Sequence, residues 1–210
     1  MKTEETILVC RGLNKRFGKK PVLMDCSLEL CGGERVGLVG ENGSGKSTFV
    51  NCVLGFVPPD SGTVRITGEG PVGFCPQADW LHRRLRVSEH LALVDRLAGA
   101  GRGIDRAFVD WCIQRLKLRP FLAYLIGELS GGTYQKVKFL TAVSHSPRLI
   151  LLDEPYDGFD WQMYQVFWEI MAELQSRGSA VLMISHLIYD RDRFDRILKL
   201  KGGRLAENHG

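Results

Sequence analysis

A chain of 210 residues with 44% hydrophobic and 25% charged side chains has the length of one domain and an ordinary globular composition, which excludes disorder as its general state. Its 28 basic side chains outnumber 24 acidic ones by four; this suits an anionic ligand or membrane surface and is too weak a bias to argue for nucleic acid. No run approaches the roughly 18 apolar residues of a membrane span, and the acid-bearing start Met1–Glu5 does not read as a signal peptide, so a membrane role is expected only through a partner.

Short β-rich runs come first: Ile7–Cys10, Val22–Leu30 and Arg35–Val39 read as strands. A glycine-rich turn then leads into a helical segment from about Lys46 to Leu54. Pro58–Gly62 is a turn, with strands over Thr63–Thr67 and Val72–Cys75 behind it. The middle of the chain changes period. Val87, Leu91, Val94 and Leu97 keep helical spacing, and so do Ile104, Phe108, Trp111 and Cys112 after the glycine-rich break at 99–103. Two amphipathic helices are therefore expected within a helical stretch of about 78–128. Leu149–Leu152 is a short, fully apolar run of the kind a central parallel strand needs. Met163, Phe167, Ile170 and Leu174 mark a further helix, and Ala180–Ile184 and Ile197–Leu200 two more strands. Strands alternating with helices in this way predict a parallel α/β core.

Three patterns carry chemistry. Gly40-Glu41-Asn42-Gly43-Ser44-Gly45-Lys46-Ser47-Thr48 satisfies G-x-x-x-x-G-K-[ST] between a strand and a helix. Its glycines let backbone N–H groups curl around phosphates, and the helix start adds its dipole. Lys46 is placed to reach the β- and γ-phosphates and Ser47 to ligate Mg²⁺. An ordinary glycine-rich turn fits this strand–loop–helix setting poorly. Asp153 and Glu154 follow Leu149–Leu152, at the strand end where parallel sheets gather ligands. Asp153 suits Mg²⁺ held through water, and Glu154 suits polarising an attacking water. Acids often end apolar strands at a surface, and the upstream phosphate loop is what gives this pair its meaning. Finally, Leu129-Ser130-Gly131-Gly132-Thr133 opens a helix, with Ser130 as N-cap and Val137, Leu140 and Val143 or Ser144 at helical spacing. A Gly-Gly helix start is a second anion site. One chain with one phosphate loop has no need of it, unless two chains sandwich the nucleotide.

In this order, and over essentially the whole chain, the motifs resemble those of the nucleotide-binding subunit of an ABC (ATP-binding cassette) transporter. Gly40–Thr48 resembles the Walker A loop, Leu129–Gly132 the signature motif and Leu149–Glu154 the Walker B motif. Gln77, after the Val72–Cys75 strand, resembles the Q-loop. Asp157-Gly158-Phe159-Asp160 resembles the D-loop, and His186 the switch histidine. Phe17, in a loop between Arg16 and Gly18, resembles the aromatic residue that stacks on adenine.

The resemblance implies one nucleotide-binding domain over 1–210 with an α/β, P-loop NTPase fold. This is a mostly parallel sheet core with an N-terminal antiparallel β region and a helical subdomain inserted at about 78–128. It also implies an ATPase with ATP and Mg²⁺ as ligands. Lys46 and the loop from Gly40 through Glu41, Asn42, Gly43, Ser44 and Gly45 to Thr48 hold the phosphates, while Ser47, Gln77 and Asp153 organise the metal. Glu154 is the general base and His186 positions the γ-phosphate. Ser130, Gly131 and Gly132 complete the site of the opposite subunit, a second copy or a paralogue. Separate integral membrane subunits are the other implied partners. The chain then sits on the cytoplasmic face of the cell membrane, and no nucleic acid is expected.

Two positions depart from the family pattern. Thr133 stands where Gln is usual and Phe159 where Leu is common; neither removes a catalytic group, so active hydrolysis is expected. The Ser-Gly-Gly-Thr-x-Gln-Lys pattern looks more like export-type cassettes than importers. Arg83-Arg84-Leu85-Arg86 has two readings of equal weight, a solvated face or a basic lip near anionic headgroups. His82, His90, His145 and His209 read as structural or surface residues. The six cysteines (Cys10, Cys26, Cys31, Cys52, Cys75, Cys112) form no C-x-x-C pair and read as small buried hydrophobes of a reducing compartment. Two alternatives follow from the same motifs. A soluble ABC-type ATPase driving assembly of a protein complex would differ in its partner. A small P-loop kinase leaves Leu129–Gly132 and His186 without a role.

Overall fold

The computed structural model describes residues 5–68, 70–98, 105–185 and 190–208. In chain order its elements are β1 (Thr6–Phe17), β2 (Lys20–Cys31), β3 (Arg35–Val39), α1 (Lys46–Val53), β4 (Ser61–Ile66), β5 (Val72–Cys75), α2 (Val87–Ala98), α3 (Arg106–Arg115), α4 (Gly131–Val143), β6 (Leu149–Asp153), α5 (Trp161–Ser176), β7 (Ala180–Ile184), β8 (Arg196–Lys201) and β9 (Arg204–Glu207). They divide into two compact units, Met1–Glu69 with Ala180–Gly210, and Gly70–Ser179.

In the first unit β1 lies between β2 and β4 and is antiparallel to both. β2 alternates buried Cys26, Leu28 and Leu30 with exposed Asp25, Ser27 and Glu29, so one face packs and the other meets water. Both strands outrun the apolar stretches that announce them. Register shifts after Cys10 carry the ladder on through polar residues, with Gly12 at φ 57° making the left-handed step and donating its N–H to Ser27 Oγ at 2.9 Å. Phe17 is therefore the last residue of β1, paired with Lys20 across the hairpin, which corrects the loop position expected from its neighbours.

The other strands of this unit run β7–β3–β8–β9. β3 is parallel to β7 and β8, and β9 returns antiparallel to β8. All five residues of β7 and Val36–Leu38 of β3 are buried, as befits strands covered on both faces. β9 is a short, polar edge strand, with no apolar run to announce it in the sequence.

In the second unit β5 and β6 pair in parallel, Val72 with Leu149 through Cys75 with Leu152. α4 lies against β5 so closely that a Cβ on Gly73 would come 2.2 Å from the Ala142 carbonyl oxygen. Ten of its residues are buried, which makes α4 an interior helix rather than an amphipathic surface one. α5 begins at its N-cap Asp160, whose carboxylate accepts the Met163 N–H at 2.8 Å. Its Phe167 ring sits 4.9 Å from Phe139 of α4, with Tyr156, Phe159 and Trp168 edge-on to it. Such pairs add about 0.5–1.5 kcal/mol each beyond area burial. The packing of Phe159 here gives a physical reason for an aromatic ring in place of Leu.

α2 and α3 form where the helical spacing places them. Val87 is buried, Leu91 and Val94 are half-buried, and Leu97 stands exposed. On α3, Phe108 and Cys112 are buried and Trp111 is half-buried; Ile104 lies outside the described residues. Asp105 caps α3 by accepting the Phe108 N–H at 2.9 Å and pairs with Arg177, whose guanidinium lies 4.5 Å above the Phe108 ring. Among the described residues no helix is long and apolar enough to cross a membrane.

Candidate functional site

The phosphate loop joins β3 to α1 inside the first unit. α1 has no side-chain cap: its N-cap is Gly45, at φ 108°, and a helix start of this kind offers its first-turn N–H groups to a ligand. Lys46 is buried, and its ammonium folds back over the loop to donate to the carbonyl oxygens of Gly40 at 2.6 Å and Glu41 at 3.0 Å. The Ser44 N–H closes a turn onto the Glu41 carbonyl at 3.1 Å. Ser44 Oγ is buried with no hydrogen-bond partner among the described residues, an orphaned hydroxyl of the kind a bound phosphate satisfies. A cavity of about 260 Å³ lies beside the loop, walled by Lys20, Val22, Glu41, Ser44, Lys199 and Lys201; three lysines against one glutamate make it a cationic setting. Phe17 is 54% exposed at the end of β1, with its ring open to a flat partner and Lys15 Nζ 5.7 Å from its centroid.

The second unit holds the carboxylates and the second anion site. Asp153 ends the buried strand β6 and is itself buried. Glu154 follows at φ 48°, a left-handed conformation that a non-glycine residue adopts at a cost of about 1 kcal/mol. Its carbonyl and that of Pro155 accept from Gln135 Nε2 of α4 at 3.4 Å and 2.9 Å, which helps hold the turn. Ser130 caps α4, as its position before Gly131-Gly132 predicts. Its hydroxyl accepts the Thr133 N–H at 3.4 Å and donates to Thr133 Oγ1 at 3.0 Å. Thr133 thus uses its hydroxyl to orient the capping serine. A Cβ on Gly132 would lie 3.8 Å from the Gly158 carbonyl, so the turn after Glu154 runs against the start of α4. A cavity of about 540 Å³ collects Gln77, Gly131, Gly132, Lys138, Glu154 and Asp157.

Residues singled out in the sequence, among them Gln77, Gly131, Gly132, Glu154 and Asp157, therefore share one cavity, and the loop residues 40–48 share another locality. His186 and His209 lie outside the described residues. Sequence reasoning does not find Tyr134 and Lys138, and it notes Gln135 only as a letter of the Ser-Gly-Gly-Thr-x-Gln-Lys pattern; all three are polar side chains of α4 that are buried, and residue type alone gives no signal of that. Of the arginine run, Arg83 pairs with Asp79 at 3.3 Å and Arg86 donates to the Ala123 carbonyl, so both have local structural work. The cysteines fit the expectation of small buried hydrophobes: all six are free and five are buried. Burial pushes the Cys10, Cys75 and Cys112 thiols up to about 12, which leaves them protonated and inert.

The ABC transporter family pattern matches residues 23–157. The chain is 34% identical over 193 residues to the uncharacterised ABC transporter ATP-binding protein MJ1023 of Methanocaldococcus jannaschii, covering 91% of this chain and 73% of that protein. It is 33% identical over 205 residues to the Nod factor export ATP-binding protein I of Burkholderia orbicola, covering 92% and 67%. A solved ATP-binding subunit of an ABC transporter superposes with a TM-score of 0.88 at 27% identity, over 97% of this chain and 90% of that one. With the strand–loop–helix phosphate site, the buried strand ending in two carboxylates and the serine-capped helix start in place, the chain belongs to the ABC transporter family as an ATP-binding subunit that hydrolyses ATP to drive transport.

Proposed function

We propose that two nucleotide-binding subunits hold MgATP between them, each phosphate loop facing the signature helix start of the other, and that separate membrane subunits turn their closure into transport. The observation that carries this reading is the pairing of two anion-ready helix starts in one chain. α1 opens without a side-chain cap, behind its own lysine and the orphaned Ser44 hydroxyl. α4 opens at Gly131-Gly132 on a cavity shared with Glu154. One nucleotide per chain leaves the second start for a partner's phosphate.

In this scheme Lys46 exchanges its loop carbonyls for the β- and γ-phosphate oxygens, and the N–H groups of 43–48 cradle the same oxygens. Phe17 stacks on adenine. The Ser47 hydroxyl, the Gln77 amide and the Asp153 carboxylate are hard oxygen donors, a set that suits Mg²⁺. When bound, that ion neutralises charge developing on the phosphates. Glu154 accepts a proton from the water that attacks the γ-phosphorus, the bridging oxygen leaves with ADP, and His186 holds a γ-phosphate oxygen. Ser130 and the Gly131-Gly132 N–H groups of the opposite subunit stabilise the transferred phosphoryl group. The helical stretch of about 78–128 is the subdomain that receives a membrane subunit, which places the chain at the cytoplasmic face of the membrane. The Ser-Gly-Gly-Thr-x-Gln-Lys pattern and the relatives named for Nod factor export support an outward direction.

Glu154→Gln is the decisive variant. It should bind MgATP as the parent does, lose turnover by about 100-fold or more, and elute as a nucleotide-dependent dimer. Purified from detergent-solubilised membranes with MgATP, it should bring a polytopic membrane protein in fixed stoichiometry. Turnover close to the parent's removes Glu154 as the base. A soluble partner with nothing from the membrane replaces transport with assembly of a protein complex.

A further inference from the structure

After β5 the chain runs irregularly from Gln77 to the start of α2, and two side chains of α4 tie this segment down. The Lys138 ammonium donates to the Gln77 carbonyl oxygen at 2.9 Å. The Tyr134 hydroxyl accepts the N–H groups of both Trp80 and Leu81, each at 3.1 Å. Tyr134 and Lys138 stand four residues apart, so they share one face of the helix. Both are buried, Tyr134 at 8% exposure and Lys138 at 2%. A buried ammonium is expensive unless it is hydrogen-bonded, and a Leu or Met would fill the same volume without that cost. A lysine at this point is explained by what its charge grips. Gln135, between them, grips the backbone after Glu154 from the same helix.

We infer that Tyr134 and Lys138 are positioning residues for ATP hydrolysis, a clamp that makes segment 77–81 and the signature helix α4 one rigid piece. Gln77 serves the nucleotide of its own subunit and Ser130 that of the opposite one. A displacement of Gln77 on ATP binding is then carried by the clamp to Ser130, and the two sites of the dimer are coupled through it. This rests on the two-subunit reading above.

The test uses the full-length chain. Tyr134→Phe removes one oxygen and keeps the ring that fills the site. Hydrogen exchange at the Trp80 and Leu81 amides should accelerate by about tenfold or more, since each loses its acceptor. Affinity for MgATP should stay within about twofold, while kcat falls by about tenfold and the Hill coefficient for ATP drops toward one. Lys138→Met should act in the same direction. A purely structural role would lower the melting temperature and scale kcat with the folded fraction, leaving the Hill coefficient where it was. Unchanged exchange at both amides shows that the clamp does not form. Faster exchange with parental kcat and Hill coefficient shows that it forms and positions nothing; either result overturns the inference. A parent chain that hydrolyses no ATP would strike the two-subunit reading instead, and the exchange measurement would still report on the clamp.

Discussion

Gly45 is required by geometry at two levels. Its φ of 108° is a conformation side-chain-bearing residues avoid, and a Cβ there would lie 3.0 Å from the Val22 carbonyl oxygen and 3.1 Å from Val22 Cγ1. Gly43, at φ 76°, has open space where a Cβ would go. Gly45→Ala should therefore destabilise the nucleotide-free chain by roughly 1–3 kcal/mol, and Gly43→Ala by about 1 kcal/mol. Thermal or urea unfolding of both variants checks the order, and a Gly43→Ala variant less stable than Gly45→Ala would contradict it. This loop is legible in the sequence because phosphate chemistry needs its groups in one contiguous stretch. Tyr134 and Lys138 are not, because their partners lie 53 to 61 residues away along the chain. Nor is the left-handed backbone of Glu154, since it is set by the turn that Gln135 holds and not by the type of the residue.

Among the elements, the contact of α4 with β5 is the tightest test of packing. At Gly73 an added Cβ would meet the Ala142 carbonyl oxygen at 2.2 Å and Pro147 Cγ at 2.7 Å. Helix backbone cannot yield as a flexible side chain can. Gly73→Ala should move α4 outward, with a loss of about 1–3 kcal/mol in urea unfolding and a fall in ATPase activity, because the same helix carries Ser130 at its start. Stability equal to the parent's would show that the helix can retreat from the strand at no cost. Most elements are readable from period alone: Leu149–Leu152 and Ala180–Ile184 are continuous apolar runs, and they are buried strands. Where period fails, another force decides. β1 continues past its apolar run because ladder hydrogen bonds with β2 sustain it. β9 is polar and is held by pairing with β8. Conversely, Leu97 keeps the helical spacing of α2 and is 77% exposed, so periodicity places it on the right element without telling that its side chain stays uncovered while Val87, on the same stripe, is buried.

At the scale of the whole molecule, stability is tied to pH through the buried histidines. His90 is 5% exposed on α2, its ring edge-on to Trp80 at 5.8 Å. Burial, with the nearby His82 adding to it, pushes its pKa below the usual value, and burial does the same to His145. The unfolded chain takes up these protons near pH 6.5, whereas the folded chain resists them. The unfolded state therefore binds more protons as pH falls below about 6.5, and stability declines there by up to about 1.4 kcal/mol per pH unit for each such histidine. Above that pH the term vanishes. Asp60 and Asp105 act elsewhere: hydrogen bonds from Lys15 and Arg177 hold their pKa values below the ordinary 3.8, so their contribution is lost only in stronger acid. The interval from pH 7.5 to 5.5 thus isolates the histidines. Urea midpoints should fall across it in the parent, and His90→Leu, which keeps an apolar side chain against Trp80, should flatten that fall. Parallel curves for the two proteins would mean that His90 takes up its proton as readily folded as unfolded, and that its burial carries no electrostatic penalty.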